Sequence, residues 1–169
     1  MRKKLQGKIG ENDIFEVCFM TQGKENDHRK EKLYQLTFDE DDRVAFNALH
    51  VLSHFDLANN EWLYRKHNNL IDRVMNEKHV GKRRLMLNLL LRQPFEEASL
   101  RSDFIDFCIA MITDCPQPYA IRAYCIKLAR TNEILSRTPR RTKDGIGDAG
   151  TRDFILRFIS AKRQIMNKI

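Results

Sequence analysis

The feature that most constrains this chain is a repeated pattern of apolar and polar residues with a period near 40. Segments 44–52, 82–90 and 121–129 align position by position, and their first residues are 38 and 39 residues apart. Each segment has the periodicity of an amphipathic helix. A period of this length in a helical chain predicts stacked helix pairs, because one pair alone cannot bury its apolar face.

The alignment separates an apolar face from a polar face on each repeated helix. Leu49, Leu87 and Ile126 occupy the same place, and we expect all three to be interior. The polar face carries one equivalent residue per helix, flanked by arginines. We predict that it lines the inner surface and attracts an acidic or phosphate-bearing ligand to the last two units; a hydrated surface without a ligand is the alternative. The equivalent residues are His50, Asn88, Lys127 and, in a fourth segment that begins at Thr151, Arg157; the flanking residues are Arg84, Arg92 and Arg130.

The pattern predicts an all-α superhelix that forms a single domain over residues 1–169. Repeat units are expected at about 27–55, 60–93, 101–131 and 132–168, inner helices near 42–55, 80–93 and 118–131, and partner helices near 27–38, 61–77 and 102–113. The acidic residues 39–42 stand where the first inner helix begins, which is typical of capping and of interaction with the helix dipole. Residues 1–24 have no clear pattern.

The starts of the repeated helices resemble the inner helix of HEAT repeats, which opens with Val-Arg-x-x-Ala. Residues 121–125 read Ile-Arg-Ala-Tyr-Cys, residues 151–152 read Thr-Arg, and Arg83 fills the arginine place in the second segment. The first segment departs from this motif with Ala45. The resemblance covers about residues 27–168 and implies a HEAT or armadillo type of array, whose inner helices line a concave binding surface. Some HEAT-like relatives bind DNA and excise alkylated bases.

The composition is that of a globular protein. Apolar residues make up 42% of the chain and charged residues 31%, which argues against disorder. The longest apolar stretch, residues 85–91, is far shorter than the roughly 20 residues that cross a bilayer. No apolar signal segment follows the basic residues 2–4. We therefore expect a cytoplasmic protein without a membrane span.

The excess of positive charge lies in the C-terminal third. Residues 1–115 contain 18 Lys and Arg against 19 Asp and Glu, whereas residues 116–169 contain 12 against 4. A basic segment of this kind favours a nucleic acid or an acidic protein as a partner. A solvated surface that binds nothing is the alternative.

A glycine motif lies within this basic segment. Residues 145–150 read Gly-Ile-Gly-Asp-Ala-Gly and match the GxGxxG motif of dinucleotide-binding loops. That motif requires a preceding strand, and residues 137–143 have no strand pattern, so we do not expect dinucleotide binding. A loop that leads into a helix can still hold a phosphate or sulfate. The candidate residues are Arg140, Arg141, Gly147, Gly150 and Arg152, and a loop without a ligand is the alternative.

No residue pattern predicts a cofactor or a metal site. His50 and His54 have the i,i+4 spacing of metal ligands, but no third ligand is near them in sequence. The four cysteines lack paired spacing. Cys108 and Cys125 fall on apolar faces, and we expect both to be buried free thiols.

No catalytic motif is present either, and the sequence favours a binding role. The base-excising relatives need an acidic residue and aromatic side chains on the inner face. Tyr124 and Asp153 could lie there, but Trp62 belongs to an outer helix. We therefore expect a non-catalytic scaffold that binds a protein or peptide on its concave face. A nucleic-acid-binding protein related to alkylated-base repair is the alternative, distinguishable by a steep salt dependence.

Overall fold

The computed structural model describes residues 1–59, 61–94, 101–113 and 116–137, and for residues 130–137 it describes the backbone alone. The chain divides into two compact units, Met1–Pro94 and Phe95–Ile169. The helices of the first unit are α1 (Arg2–Leu5), α2 (Glu11–Thr21), α3 (Asp27–Leu36), α4 (Asp42–Ser53), α5 (Glu61–Tyr64), α6 (His67–Asn76) and α7 (Val80–Leu91). The described part of the second unit contains α8 (Ser102–Thr113) and α9 (Tyr119–Arg137). The predictions of a single domain and of four unit boundaries stay predictions.

Helices of the first unit pack in pairs, as the repeat pattern predicts. Helix α3 packs against α4, α6 packs against α7, and the second helices of the two pairs, α4 and α7, pack against each other. In the second unit α8 packs against α9. The described residues contain helices and no strand, so the predicted all-α repeat fold is confirmed. The second helices begin within one residue of their predicted starts, but α9 extends six residues past its predicted end.

Two segments of the first unit differ from the sequence-based expectation. The partner helix expected at 61–77 is interrupted after Tyr64, which produces the separate helices α5 and α6. Residues 1–24, which have no clear pattern, contain α1 and α2, and both pack against α4. The periodicity of α2 is obscured in the sequence because Phe15 and Phe19 stand on its exposed side.

Local capping fixes the starts of the second helices. The Asp41 carboxylate accepts hydrogen bonds from the backbone N–H groups of Arg43 (2.9 Å) and Val44 (3.4 Å), which confirms the predicted acidic cap of α4. At the start of α7, the Nδ1 atom of His79 accepts a hydrogen bond from the Lys82 N–H at 3.2 Å. Each cap satisfies backbone donors that the first turn of a helix leaves without partners.

Arginines of the second helix pair satisfy backbone groups at the helix ends of the first pair. On α6, Arg73 donates from Nη1 to the hydroxyl and from Nη2 to the carbonyl of Thr37, both at 2.8 Å, at the end of α3. On the turn that follows α7, Arg92 donates to the carbonyls of Ser53 and Phe55 at the end of α4. Carbonyls in the last helical turn lack intrahelical donors. These bridges therefore tie consecutive pairs together at equivalent points.

The aligned interior positions are buried with one exception. Leu49 and Leu87 have no exposed surface, whereas Ile126 is 36% exposed, so the prediction that Ile126 is interior is wrong. In the first unit α4 lies between several helices. On α9 the helix α8 is the described neighbour, and it faces the buried residue Cys125 and not Ile126.

Candidate ligand-binding surface

The first unit brings four of the predicted site residues to adjacent helices. His50 lies on α4, Arg84 and Asn88 lie on α7, and Arg92 follows α7 directly; all four are partly exposed. Lys127 is exposed on α9 of the second unit, and Arg130 lies on the same helix within the part described by backbone alone. Outside the described residues lie Arg140, Arg141, Gly147, Gly150, Arg152 and Arg157.

A group of aromatic rings surrounds His50. The centroid of the Phe46 ring lies 6.0 Å from that of His50 and 6.1 Å from that of His79, and the His54 ring lies 4.8 Å from His50 in an edge-on arrangement. Phe46 can lie this close to α7 because the helix has glycine opposite it: a Cβ atom at Gly81 would be 2.8 Å from Cε2 of Phe46. The phenyl ring thus bridges α4 and the start of α7.

The charge of Arg84 acts on His50. Burial lowers the pKa of His50 below its ordinary value of 6.5, and the neighbouring charges of His54 and Arg84 lower it further. The neutral form of His50 is therefore favoured. In the part of the chain that the structure describes, the half-buried guanidinium of Arg84 has no ion-pair or hydrogen-bond partner, and neither has the Asn88 amide. We call Phe46, His50, Arg84 and Asn88 the α4–α7 surface.

The flanking arginine Arg92 has a different environment from Arg84. Its guanidinium donates to the carbonyls of Ser53 and Phe55, so a ligand that pairs with Arg92 must compete with these bonds. A cation at this position also interacts favourably with the negative end of the α4 dipole. The arrangement makes Arg92 a structural contact, and the ligand role that its sequence position indicates stays a prediction.

Comparison with known proteins identifies the family. A model of the HEAT repeat domain matches residues 1–133. The chain belongs to the HEAT repeat family. The match includes α1 and α2, which lie outside the segment covered by the motif resemblance. No curated protein and no solved structure matches this HEAT domain. Membership establishes a helical repeat scaffold, an architecture commonly used for protein interactions.

Two features of the α4–α7 surface were not predicted from the sequence. One is the place of the Phe46 ring in this surface. The aligned position is occupied by Arg84 and Ala123 in the other segments, so the repeat pattern does not indicate an aromatic residue there. The other is the effect of the Arg84 charge on the pKa of His50, which depends on the packing of α4 on α7. The 38-residue spacing of Phe46 and Arg84 is a signal that could have paired them.

The structure also describes the histidine pair and two of the cysteines that the sequence offered as candidate sites. The Nδ1 atom of His54 lies 2.9 Å from the His50 carbonyl oxygen, which ties its ring to its own helix. The described residues contain no cluster of three potential metal-ligating side chains. Cys108 and Cys125 are buried free thiols, as predicted. Their hydrogen bond and burial raise the pKa of Cys108 well above its ordinary value, so this thiol is unreactive.

In the second unit, fewer of the predicted site residues have described side chains than in the first unit. Arg122 on α9 is half-buried, and its Nε atom is buried without a hydrogen-bond partner in the described residues.

Trp62 of the first unit lies on α5, outside the α4–α7 surface, where its ring packs edge-on against Tyr34 with the centroids 6.0 Å apart. None of the helices in the described residues is long and apolar enough to cross a bilayer.

Proposed function

We propose that this HEAT domain is a non-catalytic scaffold that binds a protein or peptide through the α4–α7 surface, where an acidic group of the ligand pairs with Arg84. The observation that carries the proposal is the guanidinium of Arg84, which is half-buried and has no partner among the described residues. An arginine fork matches the geometry of a carboxylate. The adjacent ring of Phe46 offers apolar contact, and the Asn88 amide offers a donor and an acceptor.

The remaining cations of the first unit favour a protein ligand over a nucleic acid. Residues 1–94 contain 17 Lys and Arg against 14 Asp and Glu, a net charge of +3. Many of these cations already pair with carboxylates or with groups at helix ends: Arg2, Lys4, Lys30, Lys66, Arg73, Lys82 and Arg92. Nucleic-acid binding depends on several phosphate contacts at once. The half-buried guanidinium of Arg84 suits one carboxylate better than a series of phosphates.

Selection from random peptides tests the class of ligand. A random peptide library displayed on phage is selected against the full chain, and the enriched peptides are synthesised with a fluorescent label. Their affinities are then measured for the wild type, for Arg84→Glu and for Arg43→Glu, a control on the exposed side of α4. We expect the enriched peptides to share an acidic residue. Arg84→Glu should weaken binding about tenfold or more, since like charges at an interface are strongly unfavourable.

The pH dependence gives a second readout for the same complex. A carboxylate bound at Arg84 would offset part of the positive potential that lowers the pKa of His50, so the proton on His50 and the ligand should favour each other. Binding should therefore tighten as the pH falls below 6.5, and His50→Gln should remove that change. Peptides without acidic residues, or equal binding by both charge variants, would contradict the proposal. Tight binding of a labelled oligonucleotide with a steep salt dependence would instead favour the nucleic-acid alternative.

A further inference from the structure

The exposed side of α2 carries two aromatic residues one helical turn apart. Phe15 is 55% exposed and Phe19 is 87% exposed. At about 100° per residue, Phe19 lies opposite the buried face and beside Asn12 and Glu16. Large apolar side chains that are adjacent and exposed mark interaction surfaces more often than isolated ones do. We call Asn12, Phe15, Glu16 and Phe19 the α2 outer face.

Contacts on the opposite side of the helix hold this face in place. Helix α2 packs against α3 and α4 through four buried residues, Ile14, Val17, Cys18 and Thr21. Its start is capped by the Asp13 carboxylate, which accepts a hydrogen bond from the Gly10 N–H at 2.8 Å. Its end is held by Arg29, whose Nη1 donates to the Met20 carbonyl at 3.0 Å. The exposure of the two rings therefore follows from the docking of a well-anchored helix.

The charges around the rings are acidic. Helix α2 contains Glu11, Asp13 and Glu16 and no Lys or Arg. The carboxylate of Glu16 contacts the Lys4 ammonium, but both side chains are about half exposed, and such surface pairs exchange partners easily. Glu11 lies one turn before Phe15 at the edge of the face. An apolar ridge flanked by carboxylates is complementary to apolar side chains flanked by cations.

This charge pattern also argues against a second copy as the occupant. A symmetric dimer through the α2 outer face would bring the same patch of both copies together. The carboxylates of Glu11 and Glu16 would then approach their counterparts, which is unfavourable in an interface that excludes water. A helix of another protein avoids this repulsion, and its ridges can pack beside two rings spaced by one turn.

We propose that the α2 outer face docks an amphipathic helix of a partner protein that carries Lys or Arg beside its apolar residues. The face is independent of the α4–α7 surface, because α2 meets α4 through its buried side and the two rings point away from it. The HEAT domain then has two recognition surfaces of opposite charge preference. One prefers an acidic group at Arg84, and the other prefers a basic helix at Phe15 and Phe19.

The test uses two labelled model helices, one built from Leu and Lys and one from Leu and Glu. Their affinities for the full chain are compared with those for Phe15→Ser/Phe19→Ser and for Tyr119→Ser, a matched control with an aromatic side chain 85% exposed in the second unit. Circular dichroism confirms that each variant is folded. We expect the paired substitution to weaken the Leu/Lys helix about fivefold or more, while the control leaves it unchanged, since aromatic anchors contribute strongly to interfaces.

Charge reversal decides between this partner and other occupants. Glu11→Lys/Glu16→Lys should weaken the Leu/Lys helix and strengthen the Leu/Glu helix. Unchanged binding of the Leu/Lys helix by the Phe15/Phe19 variant would overturn the proposal, as would an equal loss for both model helices. Sedimentation velocity tests the second copy: a wild-type dimer that becomes a monomer on replacement of the two rings would also overturn it. Arg84→Glu should leave the Leu/Lys result unchanged, so failure here and failure of the proposed function are separable.

Discussion

The bridge from Arg92 to the end of α4 should contribute measurably to stability. Arg92→Met keeps an unbranched apolar side chain but removes both donors, which leaves the carbonyls of Ser53 and Phe55 without this partner. A hydrogen bond to a charged group contributes about 1.5 to 3 kcal/mol. Because Arg92 is half-buried and water can reach carbonyls at a helix end, we expect the free energy of unfolding to fall by about 2 to 3 kcal/mol in total.

Two further variants isolate the geometry of the bridge from its charge. Arg92→Lys keeps the positive charge but lacks the planar fork that reaches two carbonyls at once, so its loss should be intermediate. Arg43→Met removes an exposed arginine from α4 itself and should change the unfolding free energy by less than about 0.5 kcal/mol.

The assay can report on the first unit alone. Trp62 is the single tryptophan of the chain and belongs to this unit, so its fluorescence during urea unfolding follows the unit that contains the bridge. With a urea dependence of about 1 to 3 kcal/mol per molar, Arg92→Met should lower the midpoint by about 0.7 to 3 M. A midpoint equal to that of Arg43→Met would refute the reasoning, because the bridge would then add nothing beyond surface charge.

Three other experiments test the core, the acid sensitivity and the helix cap. Leu87→Ala should lower the unfolding free energy by about 2 to 5 kcal/mol, because it removes a fully buried side chain. Ile126→Ala should lower it by less than half of that, because Ile126 is partly exposed, and thermal melts of both variants measure the difference. The folded chain disfavours the proton on His50, so the unfolded chain binds more protons just below pH 6.5 and stability should fall as the pH decreases there. His50→Gln should reduce this fall in urea midpoints measured across that range. Asp41→Ala should lower the unfolding free energy, measured by urea titration at pH 7, by about 1 kcal/mol because the α4 cap is lost. Glu40→Ala should change it little.

The functional proposals depend on how the charges of the first unit are distributed. Arg73 and Arg92 stand at comparable points of consecutive helices and both serve backbone groups of the preceding pair. Arg84 lies between them on the chain, carries a charge that helps to lower the pKa of His50, and has no ion-pair or hydrogen-bond partner among the described residues. Of the predicted strip, Arg92 thus holds consecutive repeats together, whereas Arg84 has no described partner and is the residue on which the proposed function depends.

The sequence alone determined the features that depend on neighbours within a few residues. The starts of α4, α7 and α9 follow from the onset of helical periodicity, and the acidic residues 39–42 indicated the cap of α4 before any packing was known. Repeats about 40 residues apart also indicated helix pairs and hence the fold class. The break after Tyr64 and helix α2 were missed, because Phe15 and Phe19 disturb the apolar pattern on which such predictions depend.

Only the tertiary structure decided which equivalent positions are buried and which charges are already paired. Leu87 and Ile126 are equivalent in the repeat, yet Leu87 is covered by neighbouring helices and Ile126 is not, because burial depends on what packs on each side of a helix. Arg84 and Arg92 both belong to the predicted polar strip, about two helical turns apart, but their surroundings differ. Arg92 donates to two helix-end carbonyls, whereas Arg84 acts on His50 through its charge. In both cases the other group comes from 30 to 40 residues away, where periodicity cannot specify it.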